Sequence, residues 1–513
     1  MPSMQITHIR RGFATNSSST HSILELAPGL ALPESTHTDW RERDDHYERF
    51  VVSDRASRID YLHAMAAIGA RDVAGWNDED EWYRLYRQLA QALPGGPLAR
   101  EDARDLHIDH LPGWSIPRII HTREMDVDYF AHVARLLLSE RVVVMDDEWP
   151  NAKRGEYLHL LEGEYDVSKR VGDNEWSLLS FRNGRKCRVR FDEAGRQFTR
   201  PISPSRALEM VDVSISNACG RMCPFCYRAS VPDGAQADIR QMKALVRGLK
   251  EADAMEMVIG GGEPTEHPDF YPFLRDTDFG DLCVSCTTRD LDFIASLARV
   301  NRIKPDEVLE TLCGKVKAIG LSVQTAAEVK LAERNLAALR SNERPWPNRP
   351  ALVFHVIPGP EWREVLVAVH EGQHDLLLLG MKFTGRQTGV DPKAYADAVG
   401  EMLESESLKK RLGNYSSRRR YERKTRLGVD TQFLVDAHAL NPAWRERLDW
   451  RTWSDTEGEW SAFIDLVDET MAPCSFGGEK VKLDGLDGTD LLKAFDRIGA
   501  YKPKSVMEGT NGI

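Results

Sequence analysis

Cysteine is scarce, with eight residues in 513. So few in so long a chain, without a secretory signal, make a disulfide framework improbable. No apolar run approaches the roughly 18 residues that a membrane-spanning helix needs. The first residues, Met1-Pro2-Ser3-Met4-Gln5, have neither the basic nor the apolar region of an export signal. Basic residues are not in excess either. With 68 Lys and Arg against 80 Asp and Glu, the net charge is −12. That balance argues against wholesale nucleic-acid binding and leaves room only for a local basic patch. Low-complexity tracts and fixed-period repeats are missing. These absences leave a globular protein of the reducing cytoplasm, with 42% hydrophobic and 29% charged residues. Its length points to two or three domains.

Three of the eight cysteines lie together, in Cys219-Gly220-Arg221-Met222-Cys223-Pro224-Phe225-Cys226-Tyr227. The spacing is C-x3-C-x2-C, directly after the short apolar strand 211–216. Gly220 loosens the backbone and Pro224 removes an N–H, so the strand cannot continue. Thiolates this close on a loop can converge on one metal centre. Three of them leave an iron–sulfur cluster one protein ligand short, and an iron with an open position can bind a small molecule. A structural zinc site wants four closed ligands, and His267, the nearest donor downstream, has no partner at finger spacing. Buried, unliganded cysteines are the bland alternative. Three within eight residues, around a Gly and a Pro, are poor core material.

About thirty residues on, the strand-like run 255–259 ends in Gly260-Gly261-Gly262-Glu263-Pro264-Thr265. Successive glycines let a ligand approach the backbone closely. Glu263 offers a carboxylate to an ammonium group as a charge-assisted hydrogen bond. Alone, the run reads equally well as a strand-to-helix turn.

Together the two stretches resemble the signature of the radical S-adenosylmethionine (radical SAM) superfamily, with Phe225 as the aromatic of the cysteine motif and 261–264 as GGEP. The resemblance covers about 206–390. It implies a [4Fe-4S] cluster on Cys219, Cys223 and Cys226. S-adenosyl-L-methionine would bind on the open iron, with its amino group held by Gly261, Gly262 and Glu263. Ser322 and Gln324 become candidates for the ribose, and Phe225 and the backbone near Ile357 for the adenine. The activity implied is hydrogen abstraction by a 5′-deoxyadenosyl radical, with an electron donor such as flavodoxin or ferredoxin.

Three regions are expected. Residues 1–205 read as an N-terminal α+β extension that recognises substrate or merely pads the core. Helical segments fall near 61–67 and 130–137, and Asn183-Gly184 between two strands signals a hairpin. Within it, Asn16-Ser17-Ser18-Ser19-Thr20-His21-Ser22 reads as a hydroxyl-rich loop: a linker, or else a recognition tag or self-substrate. Residues 206–390 alternate helices with near-continuous apolar strands, which implies a covered parallel sheet. The α/β fold this fits is the partial (β/α)6 barrel of the superfamily, with chemistry at the C-terminal strand ends. Residues 391–513 form a C-terminal extension with a basic run at 418–424 and a strand near 463–467.

Cys283 and Cys286 stand on opposite faces of one strand and should not chelate together. Cys474 is either a hydrogen-atom donor over the barrel mouth or a small buried residue. Three functions stay open. The first is a radical enzyme acting on a peptide or protein side chain. The second acts on a nucleoside or nucleotide, with phosphates near Lys382, Arg386 or 418–424. The third is a non-catalytic iron–sulfur binding or sensing protein.

Overall fold

The computed structural model describes residues 3–10, 21–26, 51–74, 78–106, 127–138, 142–146, 157–162, 167–172, 175–181, 186–192, 206–339, 349–372, 374–382, 384–389, 391–405, 427–442 and 456–505. The chain divides into two compact units, passing from one to the other between Ser205 and Arg206. The basic run at 418–424, the Asn183-Gly184 turn and residues 16–20 of the hydroxyl-rich loop lie outside the described residues.

In the N-terminal unit, the helices Arg55–Ala74, Glu79–Ala90 and Val127–Leu137 bury one apolar core. Tyr61, Tyr86, Phe130 and Trp176 are among its fully enclosed side chains. The strand Glu175–Leu179 pairs antiparallel with Lys186–Asp192, as the hairpin signal predicts. Both belong to a four-stranded sheet whose outer strands are Ser3–Arg10 and Val167–Gly172. A second four-stranded sheet, not foreseen from the sequence, is built on His21–Leu26.

The second unit is a partial barrel, an open sheet whose central strands are parallel. Its first six strands are β1 (Met210–Ser214), β2 (Glu256–Gly260), β3 (Cys283–Thr288), β4 (Ala318–Ser322), β5 (Ala351–Val356) and β6 (Asp375–Leu378). Each pairs parallel with the next, in chain order. Alternate residues face out into one core under the helices; Val211, Val213, Ile259, Phe354 and Leu378 are buried there. The intervening helices carry strong start signals. Asp238 forms a capping box with Gln241 at the head of Ile239–Glu251, and Thr325 does so with Glu328 at the head of Ala326–Asn335.

The region after 391 is no separate appendage. It lends a seventh parallel strand, β7 (Leu427–Val429), beside β6, and an eighth, β8 (Ser461–Asp465), beside β1. The six-stranded sheet thus gains a strand at each edge. The hairpin strands Thr470–Ala472 and Val481–Lys482 extend it beyond β8. Segment 501–504 runs between the two outer parallel strands. Tyr501 exchanges backbone hydrogen bonds with Glu457, and Gln432 Nε2 donates to the Lys504 carbonyl. Arg206 holds the final helix to the start of the barrel, donating to the carbonyls of Gly458 and Phe495 with its guanidinium 4.1 Å from the Phe495 ring.

Candidate active site

The cysteine loop leaves the C-terminal end of β1. Bridges from Ser216 to Gln236 and from Ala218 to Val231 fold it back on itself as an excursion of fixed width. Met222 takes the left-handed conformation and is nearly half exposed, so the loop's tip turns outward. All three cysteines are free thiols; Cys219 is buried, while Cys223 and Cys226 are partly open. Among the described residues no three His, Cys, Asp or Glu side chains gather round one ion. A single zinc needs such a gathering. A cubane does not, because each cysteine takes its own iron and the three need only surround the cage. His267 is excluded as a fourth ligand. Its Nδ1 accepts from the Asp269 N–H at 3.1 Å, which makes Nε2 the donor to the Ala237 carbonyl at 2.8 Å.

The glycine turn is laced to that loop backbone to backbone. The N–H of Gly262 donates to the Ser216 carbonyl at 2.5 Å, and that of Glu263 to Ala218 at 2.9 Å. Gly261 has φ +123°, and a Cβ on Gly262 would stand 1.9 Å from the Ala218 oxygen. No donor among the described residues meets the carbonyls of Gly261 and Gly262. Carbonyls without a donor suit an ammonium group, so the turn fits the methionine end of the cofactor.

The Glu263 carboxylate, read from the sequence as an ammonium contact, meets several donors of this chain. It is 1% exposed. It accepts from Thr288 Oγ1 at 2.6 Å and from the Arg289 and Thr265 backbones at 3.0 and 3.3 Å, and lies 3.3 Å from Arg221 Nε. Burial pushes its carboxyl up, against the pull of Thr288 and Arg221. Arg221 also pairs with Asp290 at 3.0 Å. Thus a residue inside the cysteine motif is tied to the ends of β2 and β3. Arg221 and Asp290 were missed from the sequence, because nothing local links them, whereas Thr288 falls at a strand end, where chemistry is expected.

Phe225 lies under the Arg289 guanidinium at 4.9 Å, and Arg289 pairs with Glu328 at 2.7 Å. These residues, with Cys223, line a cleft of about 550 Å3. Ser322 ends β4; its carbonyl accepts from Arg289. The Gln324 backbone N–H is taken by Glu328. Both side chains stay half-buried at the strand end. Ile357 follows β5 directly and is also half-buried.

On the inner face of the barrel the residues alternate with the outward core set. Asp212 and His355 therefore point inward, toward Lys382 beyond β6. Asp212 is flanked by strands on both sides, but its side chain is exposed to the barrel interior. Burial, with Glu457 nearby, pushes its carboxyl up to about 7, while Lys382 opposes. Burial, then Lys382, brings His355 down to about 4. Lys382 Nζ lies 3.8 Å from Asp430, 4.8 Å from the Tyr227 ring and 4.7 Å from Phe476. Burial pulls its ammonium down, and Asp430, Tyr227 and Asp212 more than reverse that. Cys474 is buried in the same neighbourhood, within electrostatic reach of Glu457 and Lys382. Its Sγ donates to the Gly477 carbonyl at 3.3 Å, and burial pushes the thiol up to about 11. Cys283 and Cys286 are both buried on opposite faces of β3, as their spacing predicts.

Arg386, read as a phosphate contact, is committed elsewhere. Its Nε donates to the Cys223 carbonyl at 2.8 Å, its Nη1 to Ser230 at 2.9 Å and its backbone N–H to Cys226 at 2.9 Å. It clamps the cysteine loop.

Residues 213–343, which span both motifs, match the Radical SAM superfamily. The chain carries a radical SAM domain. It is accordingly an enzyme of the [4Fe-4S] and S-adenosylmethionine class. Among solved structures, Streptococcus suis SuiB bound to precursor peptide SuiA is similar at 14% identity and TM-score 0.42, over 60% of this chain and 68% of that one. SuiB bound to S-adenosylmethionine aligns at 13% identity and TM-score 0.37, over 57% and 67%. The enzyme anSMEcpe with bound AdoMet and Cp18Cys peptide aligns at 13% and 0.36, over 56% and 80%. A comparison with curated protein sequences finds no match. No described helix of this radical SAM protein is long and apolar enough to cross a membrane.

Proposed function

We propose that this radical SAM enzyme abstracts hydrogen from a side chain of a peptide or protein. One observation carries the reading: the cysteine loop and the glycine turn open onto a barrel interior that is polar rather than packed. An ordinary parallel barrel fills its centre with layers of branched apolar side chains. Here Asp212, His355 and Lys382 point inward, with Asp212 exposed to the interior.

In this reading Cys219, Cys223 and Cys226 hold the cluster, and the Gly261 and Gly262 carbonyls hold the methionine ammonium. Phe225 takes the adenine, and Ser322 with Gln324 the ribose. Bound together, cluster and cofactor supply one-electron chemistry able to take hydrogen from an unactivated carbon. Flavodoxin or ferredoxin delivers the electron. The protein's share is orientation and exclusion of water. Arg221 and Glu263 hold the two motifs in register, and Asp212, Lys382 and Glu457 meet the polar end of the substrate residue. Cys474 is the candidate to return a hydrogen atom.

The test is anaerobic incubation of the reconstituted full chain with candidate peptides, S-adenosylmethionine and reductant. A mass change in one peptide, together with 5′-deoxyadenosine, is expected. 5′-Deoxyadenosine that tracks an added nucleoside, with every peptide unchanged, would overturn the peptide reading.

A further inference from the structure

Arg386 is an unusual arginine. Three of its donors grip the backbone of the cysteine loop, at Cys223, Cys226 and Ser230. Its Nη2 is buried and has no hydrogen-bond partner among the described residues. No described carboxylate pairs with the guanidinium. A buried N–H without an acceptor is costly. An acceptor outside the described residues is therefore expected to face this donor in the working protein.

Covalent geometry says where that partner lies. Nη2 shares one edge of the planar guanidinium with Nε, so one of its N–H bonds runs alongside the Nε–H that meets the Cys223 carbonyl. The free donor is thus aimed beside the backbone of one cysteine, while the residue's own N–H is bonded to the next. A thiolate-ligated iron–sulfur cluster is anionic, and its sulfurs accept hydrogen bonds that tune its potential. It would supply that acceptor.

We propose that Arg386 is a positioning residue for the cluster, donating its Nη2–H to a cluster sulfur or to a ligating thiolate. This rests on the assignment of Cys219, Cys223 and Cys226 as the cluster ligands. The clamp fixes the loop, and the N–H···S bond with its positive charge favours the reduced, more negative cluster.

The experiment uses the full chain, reconstituted anaerobically, with its arginines labelled with 15N in the guanidinium. Pulsed EPR of the reduced cluster is expected to show a weak 15N coupling. Arg386→Lys should lose that coupling and lower the midpoint potential. A tenfold loss in the reduction equilibrium is about 59 mV for one electron. A purely structural clamp would lower cluster content without moving the potential of the clusters that remain. Should Arg386→Lys lose its cluster, Arg221→Lys assigns the coupling: it persists if Arg386 is the donor and vanishes if Arg221 is. Absence of any 15N coupling in the unmutated protein, or an unchanged midpoint in a fully loaded Arg386→Lys, overturns the proposal. A chain that binds no cluster at all, or that keeps full iron after all three cysteines are replaced, fails the cysteine assignment instead.

Discussion

Thr288 Oγ1 donates to the Glu263 carboxylate at 2.6 Å, joining the ends of two neighbouring barrel strands. The same carboxylate faces Arg221, which lies between the first two cysteines of the loop. One buried acid thus holds three elements of the site in register.

Glu263→Gln keeps the shape but sets an amide where only an acceptor fits, and weakens the Arg221 pair. The cluster should remain while S-adenosylmethionine affinity falls by about 1.5–3 kcal/mol, or about 10- to 150-fold. Titration of the reconstituted protein measures it, and unchanged binding would remove Glu263 from the site. Thr288→Val should cost stability of about 1–3 kcal/mol, because the buried carboxylate loses a donor.

Replacing Cys219, Cys223 and Cys226 together by Ala should abolish the absorption of the cluster and its iron. The parent protein should hold about one four-iron cluster through those three residues. Full iron content in the triple variant would defeat the assignment.

Gly262→Ala puts a methyl group 1.9 Å from the Ala218 carbonyl, which belongs to the backbone and cannot swing aside. The turn must move off the cysteine loop. A displacement near 1 Å at a reacting centre costs about 100-fold. Turnover of S-adenosylmethionine should fall by that order while circular dichroism stays that of the parent. Parental turnover would show that the lacing is dispensable.

Asp212 and His355 give opposite pH dependences. The Asp212 carboxyl, raised from 3.8 to about 7, stabilises the fold at low pH and loses that contribution as pH rises from about 4 to 7. His355, lowered from 6.5 to about 4, contributes above pH 6.5 and loses it as pH falls toward 4. In the parent the two slopes offset. Asp212→Asn should therefore lose stability on acidification from 6.5 to 4, and His355→Gln on neutralisation from 4 to 7. The exposure of Asp212 to the barrel interior screens its share to about 1–2 kcal/mol. Denaturant midpoints across pH 4–8 decide it; parallel curves for the two variants would mean that neither group is shifted.

Much of the site was legible in the sequence because its chemistry is local. Three cysteines at fixed spacing and a Gly-Gly-Glu-Pro turn stand out by residue type and spacing alone, and the apolar runs of β1 to β6 announce a covered parallel sheet. Even the opposite faces of Cys283 and Cys286 follow from the two-residue period of a strand.

What the tertiary structure alone decided lies between residues far apart in the chain. β7 and β8 join opposite edges of the sheet; both come from the region read as a C-terminal extension, where a strand near 463–467 is legible but its place beside β1 is not. A three-residue strand such as Leu427–Val429 has no periodicity to betray it, and only the free edge of β6 gives it a place. Arg386 reads as a phosphate contact until the fold sets its guanidinium on Cys223, 163 residues earlier. The Glu263 carboxylate reads as a ligand group until burial surrounds it with donors from two other loops. Spacing along the chain shows which atoms a segment can offer. Which of them are already satisfied depends on neighbours that only folding brings within hydrogen-bonding distance.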